Sequence, residues 1–278
     1  MNPSEIRISV ALVTRNRPES LERCLKSLRS QSVQPFEVVI SDDSDPEFAP
    51  ATEAIAHRWD CRYITGPRRG LYANRNHVAL TCTGTHIRTM DDDHVLPEGH
   101  LEQCLEAIRS DPKSIWTTGE ISFINGEYYK TAATARQLYP SGVGGAVADV
   151  NDNWAIADGS TLYPKQVYDQ GHRMVEWFGF GSSYLEFGAY LYHHGFRSRC
   201  IPDACVKHYA DPTILTRINT IDAIESQLYA SLCFNLCFKL NYKLAIKYLF
   251  GYLIRCRFNP TLIASLPQVV AKVNQRWN

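Results

Sequence analysis

Apolar residues alternate at Ile6, Ile8, Val10 and Leu12, the period of a strand. Pro18 follows where the first turn of a helix tolerates it. Leu21, Cys24, Leu25 and Leu28 then take the i, i+3, i+4, i+7 spacing of an amphipathic helix. Phe36 to Ile40 predicts a second strand ending in Ser41-Asp42-Asp43-Ser44, Ala49 to Trp59 a helix, and Arg62 to Ile64 a third strand. Gly66-Pro67 breaks the chain before a helix from Tyr72 to Leu80, and His86 to Met90 is a fourth strand. Leu101, Cys104, Leu105 and Ile108 repeat the helical stripe. Strands alternating with helices predict an α/β fold with a mainly parallel central sheet covered on both faces. In open sheets of this kind, ligands bind beyond the carboxyl ends of the strands. Asp42-Asp43 and Asp91-Asp92-Asp93 both fall at such ends, so both acidic clusters are expected to border one crevice.

The pattern is less regular from Ile115 to Tyr209. Ser141 to Gly145 reads as a loop, Asn151-Asp152-Asn153 as a turn, and Gly179-Phe180-Gly181 precedes a helix containing Leu185, Phe187, Tyr190 and Leu191. From Asp222 to Arg257 the pattern is helical and rich in aromatics. Lys239, Lys243 and Lys247 recur every four residues and so share one helix face. That face is either solvated or the basic side of a helix lying on a membrane surface.

Composition narrows the classes. The 278 residues suffice for a substantial core. The formal net charge is zero, which leaves no electrostatic footprint for nucleic acid. The nine cysteines contain no Cys-x-x-Cys pair, and neither Cys200/Cys205 nor Cys233/Cys237 has a second half to complete a zinc site. Reduced, buried thiols are the expectation, and with them a cytoplasmic protein. The N-terminus, MNPSEIRISV, lacks the layout of a signal peptide, and no run of about 18 apolar residues occurs.

Three adjacent aspartates are unfavourable unless something positive compensates them. Carboxylates at the first and third positions of a turn can converge on one hard cation, which takes oxygen ligands. An acidic, N-capping turn is the alternative for Asp91 to Asp93, and ordinary turn carboxylates for Asp42 and Asp43.

With these segments in order, residues 6 to 210 resemble a family 2 glycosyltransferase of the GT-A fold. Ser9 to Pro18 resembles the family's opening strand and turn, implying that Thr14, Asn16 and Arg17 border the base and ribose of a donor. Val38 to Ser44 resembles its second strand, implying that Asp42 or Asp43 accepts a hydrogen bond from a uracil or thymine N–H. Arg69-Gly70-Leu71-Tyr72-Ala73-Asn74-Arg75-Asn76 resembles its Gly-x-x-x-Ala-Arg-Asn segment, implying that Arg75 approaches the nucleotide. Asp91-Asp92-Asp93 resembles its Asp-x-Asp motif. The resemblance implies Asp93 as a metal ligand, Asp91 reaching the ribose or the metal through water, and Asp92 among the donor-binding residues. Cys200 to Tyr209 resembles the strand that delivers a histidine near the metal, which points to His208 as a further ligand. The cofactor implied is a divalent cation, Mn2+ or Mg2+.

By the same resemblance, residues 1–212 form the glycosyltransferase domain, with 1–115 its nucleotide-binding half and 116–212 its acceptor-side half. Residues 213–278 form a helical C-terminal extension. The implied activity is transfer, with inversion, of a sugar from a UDP- or dTDP-linked donor to a hydroxyl of a saccharide or lipid-linked acceptor. The implied location is cytoplasmic, with peripheral contact to the inner membrane face through the C-terminal helices.

One motif departs from the family. Aligning on Glu186-Phe187-Gly188 places Ser183 and Tyr184 where an acidic pair is usual. The acceptor hydroxyl loses a proton as it attacks, and a positioned carboxylate normally takes it. Glu186 is one substitute base, or a helix-surface carboxylate; Asp158 and Glu176 are others. Trp154 and Trp177 are candidates either for stacking on sugar rings or for packing. Two rival readings stand beside the transferase: a nucleotide-sugar binding or scaffold protein with a degenerate base motif, and a nucleotidyltransferase. Against the latter, Val13 to Pro18 contains no glycine for a phosphate loop.

Overall fold

The computed structural model describes residues 6–132, 135–179, 181–212 and 220–277. Phe180 and the stretch beside the 212/213 boundary lie outside these residues, as do the first five residues of the chain.

The first half alternates β1 (Ile8–Thr14), α1 (Pro18–Arg29), β2 (Glu37–Asp42), α2 (Ala49–Arg58), β3 (Arg62–Thr65), α3 (Leu71–Thr81) and β4 (His86–Asp91). β1 lies between β2 and β4, parallel to both, with β3 parallel to β2 outside it. Every residue of β1 is buried, so the one-sided alternation expected there does not hold. Both faces of a central parallel strand are covered by helices. Val10, Leu12, Val38 and Ile40 pack against Leu21, Leu25 and Ile55 of α1 and α2. Their neighbours Ala11, Val13 and Val39 pack on the other face against Tyr72, Val78 and Ala79 of α3.

The chain continues through β5 (His94–Val95), α4 (His100–Ser110), β6 (Ile115–Ile124), β7 (Glu127–Ala132), β8 (Gln137–Leu138), β9 (Gly144–Gly145), β10 (Thr161–Pro164), α5 (Gln166–Asp169), α6 (Ser183–His193) and β11 (Ser198–Ala210). Among the described residues the main sheet runs β3-β2-β1-β4-β10-β6-β11-β5, with β7 paired to β6. β10 is antiparallel to both β4 and β6, while β11 returns parallel to β6. The sheet is therefore mixed, though mostly parallel in its first half.

Helices α7 (Ile221–Leu232), α8 (Tyr242–Arg255) and α9 (Pro260–Trp277) follow, with a π-helical turn at Cys233–Phe238 after α7. They enclose a satellite core in which Leu228, Tyr229, Tyr252, Leu262 and Val269 meet Val175 and Phe178. The helical pattern from Asp222 to Arg257 is thus two helices. Leu240 takes a φ of 49°, and the Asn241 side chain caps α8 by accepting from the Leu244 N–H at 3.2 Å. Lys239 falls in this connection, its ammonium over the rings of Phe238 and Trp154, and does not share a helix face with Lys243 and Lys247. All nine cysteines are free thiols. No helix among the described residues is long and apolar enough to cross a membrane.

Candidate active site

The ends of β1, β2 and β4 open on one side of the sheet, and the acidic run lies there. Thr14, the last residue of β1, donates its hydroxyl to Asp92 Oδ2 at 2.6 Å. Arg17, in the turn after β1, reaches Asp92 Oδ1 at 2.5 Å and Asp93 Oδ2 at 2.8 Å. It compensates the charge of two of the three adjacent carboxylates. Asn16, at a left-handed φ of 56°, accepts from the Asp45 N–H at 2.8 Å and donates to the Asp45 carboxylate at 2.6 Å. The loops after β1 and β2 are thereby joined.

β5 and β11 pair so that His94 stands opposite His208. Ligand atoms of Asp93, His94 and His208 all lie within 4.8 Å of one another. His208 is held between two carboxylates, its Nε2 3.6 Å from Asp93 Oδ1 and its Nδ1 3.3 Å from Glu120 Oε2. His94 is fully buried, and neither of its ring nitrogens has a hydrogen-bond partner among the described residues. Asp93 Oδ1 is likewise buried without one. Buried polar atoms rarely go unsatisfied, and those that do call for a partner such as an ion. One carboxylate and two imidazoles suit a divalent transition ion better than Mg2+, which prefers oxygen ligands. The residues present therefore fit a metal.

Burial and neighbouring charges decide which groups of the cluster hold protons. Burial would lower the His208 pKa, but the adjacent Asp93 and Glu120 carboxylates outweigh burial and push it up to about 10. Burial would raise Asp93, but the neighbouring His208 and the charge of Arg17 hold it well below the usual carboxylate range. Asp92 moves the other way: burial, reinforced by Asp93 and Asp91, lifts it to about 7 despite Arg17 and Thr14. Burial also lowers His94, which favours the neutral imidazole that ligates metals.

Around β2, Asp42 accepts from the Ser44 N–H at 2.8 Å and from the Tyr63 hydroxyl at 3.0 Å. Asp43 accepts from the Arg68 N–H at 2.8 Å, and burial raises its pKa. Both carboxylates line the same end of the sheet as the aspartate run.

Several expected roles need correction. Asp91 is not brought to the cation cluster, because Arg75 binds both its oxygens at 2.8 and 2.7 Å. Arg75 is itself buried and pairs with Asp158 on its other side, so in this structure it bridges two carboxylates and is not open to a phosphate. Gly159 permits that arrangement: it holds a φ of 73°, and a Cβ there would lie 2.5 Å from Asp91 Oδ2.

Glu186 is also placed elsewhere. It is fully buried, and its Oε1 accepts from Trp277 Nε1 at 2.9 Å and Arg276 Nε at 3.2 Å, both on α9. Burial raises its pKa, with Arg276 opposing. A carboxylate enclosed in this way anchors α6 to α9 and is closed to solvent. Glu176 accepts from Asn76 at 2.9 Å and pairs with Arg69 at 3.0 Å. Trp154 packs on Tyr192 and Phe238, and Trp177 on Tyr229. Ser183 and Tyr184 supply no base either. Ser183 is buried with its N–H on Ser226 Oγ, and burial pushes the Tyr184 hydroxyl up to about 12.

Sequence reasoning missed His94 and Glu120. His94 directly follows the aspartates, and that adjacency was the available signal. Glu120 had none, since its role arises only from the β6–β11 pairing that carries Val206 to its side.

The mixed, mostly parallel α/β sheet carries its cluster of acidic and histidine side chains at the strand ends, the arrangement of an α/β enzyme fold. Residues 9–171 match glycosyl transferase family 2, and the chain belongs to that family. It is 27% identical over 106 residues to the chondroitin synthase of Escherichia coli, a match spanning 37% of this chain and 16% of that protein. It is 28% identical over 106 residues to the uncharacterized glycosyltransferase YwdF of Bacillus subtilis, covering 38% and 39% of the two chains. The chain thus spans well under half the length of these relatives. Among solved structures, GalNAc-T7 with UDP, GalNAc and Mn2+ superposes with a TM-score of 0.69 at 15% identity, over 98% of this chain and 56% of that one. Residues 1–349 of TarS from S. aureus, in complex with UDP, give 0.60 at 15% identity, over 91% and 74%. At such identities the likeness is one of fold, and the fold is GT-A.

Proposed function

We propose that the chain transfers a sugar, with inversion, from a UDP- or dTDP-linked donor to a hydroxyl acceptor in polysaccharide, lipopolysaccharide or glycolipid assembly. The observation that carries this reading is the convergence of Asp93, His94 and His208 at the strand ends of a family 2 chain. The solved relatives with UDP, and in one case Mn2+, support the same donor and ion here. In this reading residues 1–115 hold the nucleotide, 116–212 face the acceptor, and 213–278 are a helical extension. The reaction takes place in the cytoplasm, against the inner membrane face.

Asp93, His94 and His208 would hold the divalent cation, Mn2+ in preference to Mg2+. Such a cation acts as a Lewis acid for the charge that develops on the departing diphosphate. The other residues prepare the pocket. Glu120 orients the His208 ring from its far side, as carboxylates behind ligating histidines do. Arg17 neutralises Asp92 and Asp93 and is partly exposed, so it can turn to a phosphate oxygen. Thr14 and Asn16 fix the loop under the ribose, and Asp42 and Asp43 face the base. Of the three carboxylates considered for proton removal, Asp158 adjoins the aspartate run and keeps part of its side chain exposed. It is the proposed base, with Arg75 holding it in place.

A thermal-shift panel of UDP, dTDP, GDP and CMP, with and without Mn2+, tests the donor site. A ligand that binds only the folded form raises apparent stability by mass action. Manganese-dependent stabilisation by UDP or dTDP is expected; no shift with any of the four would overturn the reading. The second reading, a nucleotide-sugar binding protein without transfer, is favoured by Ser183-Tyr184 in place of an acidic pair. Tight donor binding without transfer or donor hydrolysis would decide for it.

A further inference from the structure

Helix α8 carries two apolar faces that adjoin along one edge. One side is ordinary: Ala245 and Tyr252 are buried, and Leu249, Leu253 and Cys256 pack against the satellite core. On the outward side Tyr242, Ile246, Phe250 and Ile254 recur every four residues and are 62%, 58%, 54% and 63% exposed. At 100° per residue these side chains drift across an arc of about 120°, with Lys243 inside it and Lys247 just beyond its edge. Leu240 and Phe258 extend the patch beyond each end of the helix, both exposed and both at left-handed φ angles of 49° and 51°. Bulky residues seldom adopt that conformation. Here two of them do so while presenting apolar side chains outward. Single exposed hydrophobics need no explanation, but a contiguous patch of this kind marks an interaction surface.

Charge identifies the partner. The chain is neutral overall, yet seven lysines and arginines and no aspartate or glutamate follow Glu225. The residues up to Glu225 therefore hold 22 basic against 29 acidic side chains. Positive charge is segregated onto the helices that carry the apolar patch. A second copy of the chain, docked through the same face by a two-fold axis, would bring like-charged lysines together. A soluble acidic partner would satisfy the lysines but leave the depth of the stripe unexplained. An anionic bilayer surface satisfies both, because apolar side chains enter the headgroup boundary while lysines stay among the phosphates. No described helix can span the bilayer, so the contact lies in its plane.

We infer that the outward face of α8, from Leu240 to Phe258, is a docking surface for anionic lipid bilayers. The surface does not depend on the transferase reading. Only its corollary, an acceptor carried on a lipid and presented at that bilayer, rests on it.

The test is co-sedimentation of the full chain with phosphatidylcholine vesicles, with and without phosphatidylglycerol, at low and high salt. These vesicles hold no donor or acceptor, so the result is separable from any failure of turnover. Binding is expected only with the anionic lipid and is expected to weaken in high salt. Lys243→Gln/Lys247→Gln should lower partitioning at low salt by about tenfold or more. Ile246→Glu/Phe250→Glu should abolish it, with circular dichroism unchanged because both side chains are exposed. Absence of binding at low salt, equal binding to neutral vesicles, or unaltered binding by the glutamate variant would each overturn the inference. So would light scattering showing that the glutamate variant merely converts a lipid-indifferent dimer to monomer.

Discussion

Arg276 in the last turn of α9 donates its Nε to Glu186 Oε1 at 3.2 Å, fastening the C-terminal helix to the first turn of α6. The guanidinium also lies over the Tyr190 ring, 3.5 Å from its centroid. Breaking a buried pair leaves the surviving charge uncompensated, at a cost of about 3–5 kcal/mol. Arg276→Ala should lower the unfolding free energy measured by urea titration by that amount. Asp158→Asn should instead lower kcat by roughly a hundredfold to ten-thousandfold with UDP binding intact. If Glu186→Gln, and not Asp158→Asn, removes turnover while the fold persists, the assignment of the base reverses.

The metal-free protein should lose stability in the alkaline range. The His208 pKa is raised from 6.5 to about 10, so the folded state binds its proton more tightly than the unfolded chain does. The contribution is fully present below pH 6.5 and is lost as pH rises through about 10. A cation has to displace that same proton, so Mn2+ should bind more tightly as pH rises. Melting curves of wild type and His208→Asn across this interval, with and without Mn2+, check both signs. A wild-type slope no steeper than that of His208→Asn would mean that His208 does not hold the proton.

Glu120 touches no ligand atom of Asp93, yet it determines how His208 stands. Glu120→Gln should weaken Mn2+ binding about 10- to 100-fold, the range seen when carboxylates behind ligating histidines are changed. His94→Ala removes a proposed ligand and should cost at least as much. Calorimetric Mn2+ titrations measure both, and an unchanged affinity in Glu120→Gln would remove it from the site.

The legible parts of this chain were local ones. Stripes such as Leu21, Cys24, Leu25 and Leu28 state their burial directly, because a helix that packs on a sheet repeats every three or four residues. Asp93 and His208 were singled out through motif order, and the structure brings them together. What stayed hidden depends on strand pairing over long sequence separations. β11 carries His208 beside His94 of β5 and Val206 beside Glu120 of β6, and no periodicity within any of these strands announces that register. Glu186 misled for a similar reason. Its helical neighbours fit the family, but the two side chains that enclose it come from α9, some 90 residues later.

Gly66 tests the base pocket apart from the cation. Its N–H donates to the Asp42 carbonyl at 2.8 Å, and its φ is one that any residue can adopt, so substitution acts through space alone. An added Cβ would lie 2.2 Å from Asp43 Oδ1, 2.8 Å from Asn74 Oδ1 and 3.1 Å from the carbonyl carbon of Asp42. The Asp43 carboxylate would have to swing away, losing its bond from the Arg68 N–H. Gly66→Ala should therefore reduce the UDP-induced thermal shift by the equivalent of a tenfold or greater loss of affinity, about 1.4 kcal/mol. The overpacking itself should cost about 1–3 kcal/mol of stability. The shift produced by Mn2+ alone should persist, because Asp93, His94 and His208 stand on β5, β11 and the turn between β4 and β5. Loss of both shifts together would show that nucleotide and cation sites are one cooperative unit; retention of both would take Asp43 out of the donor pocket.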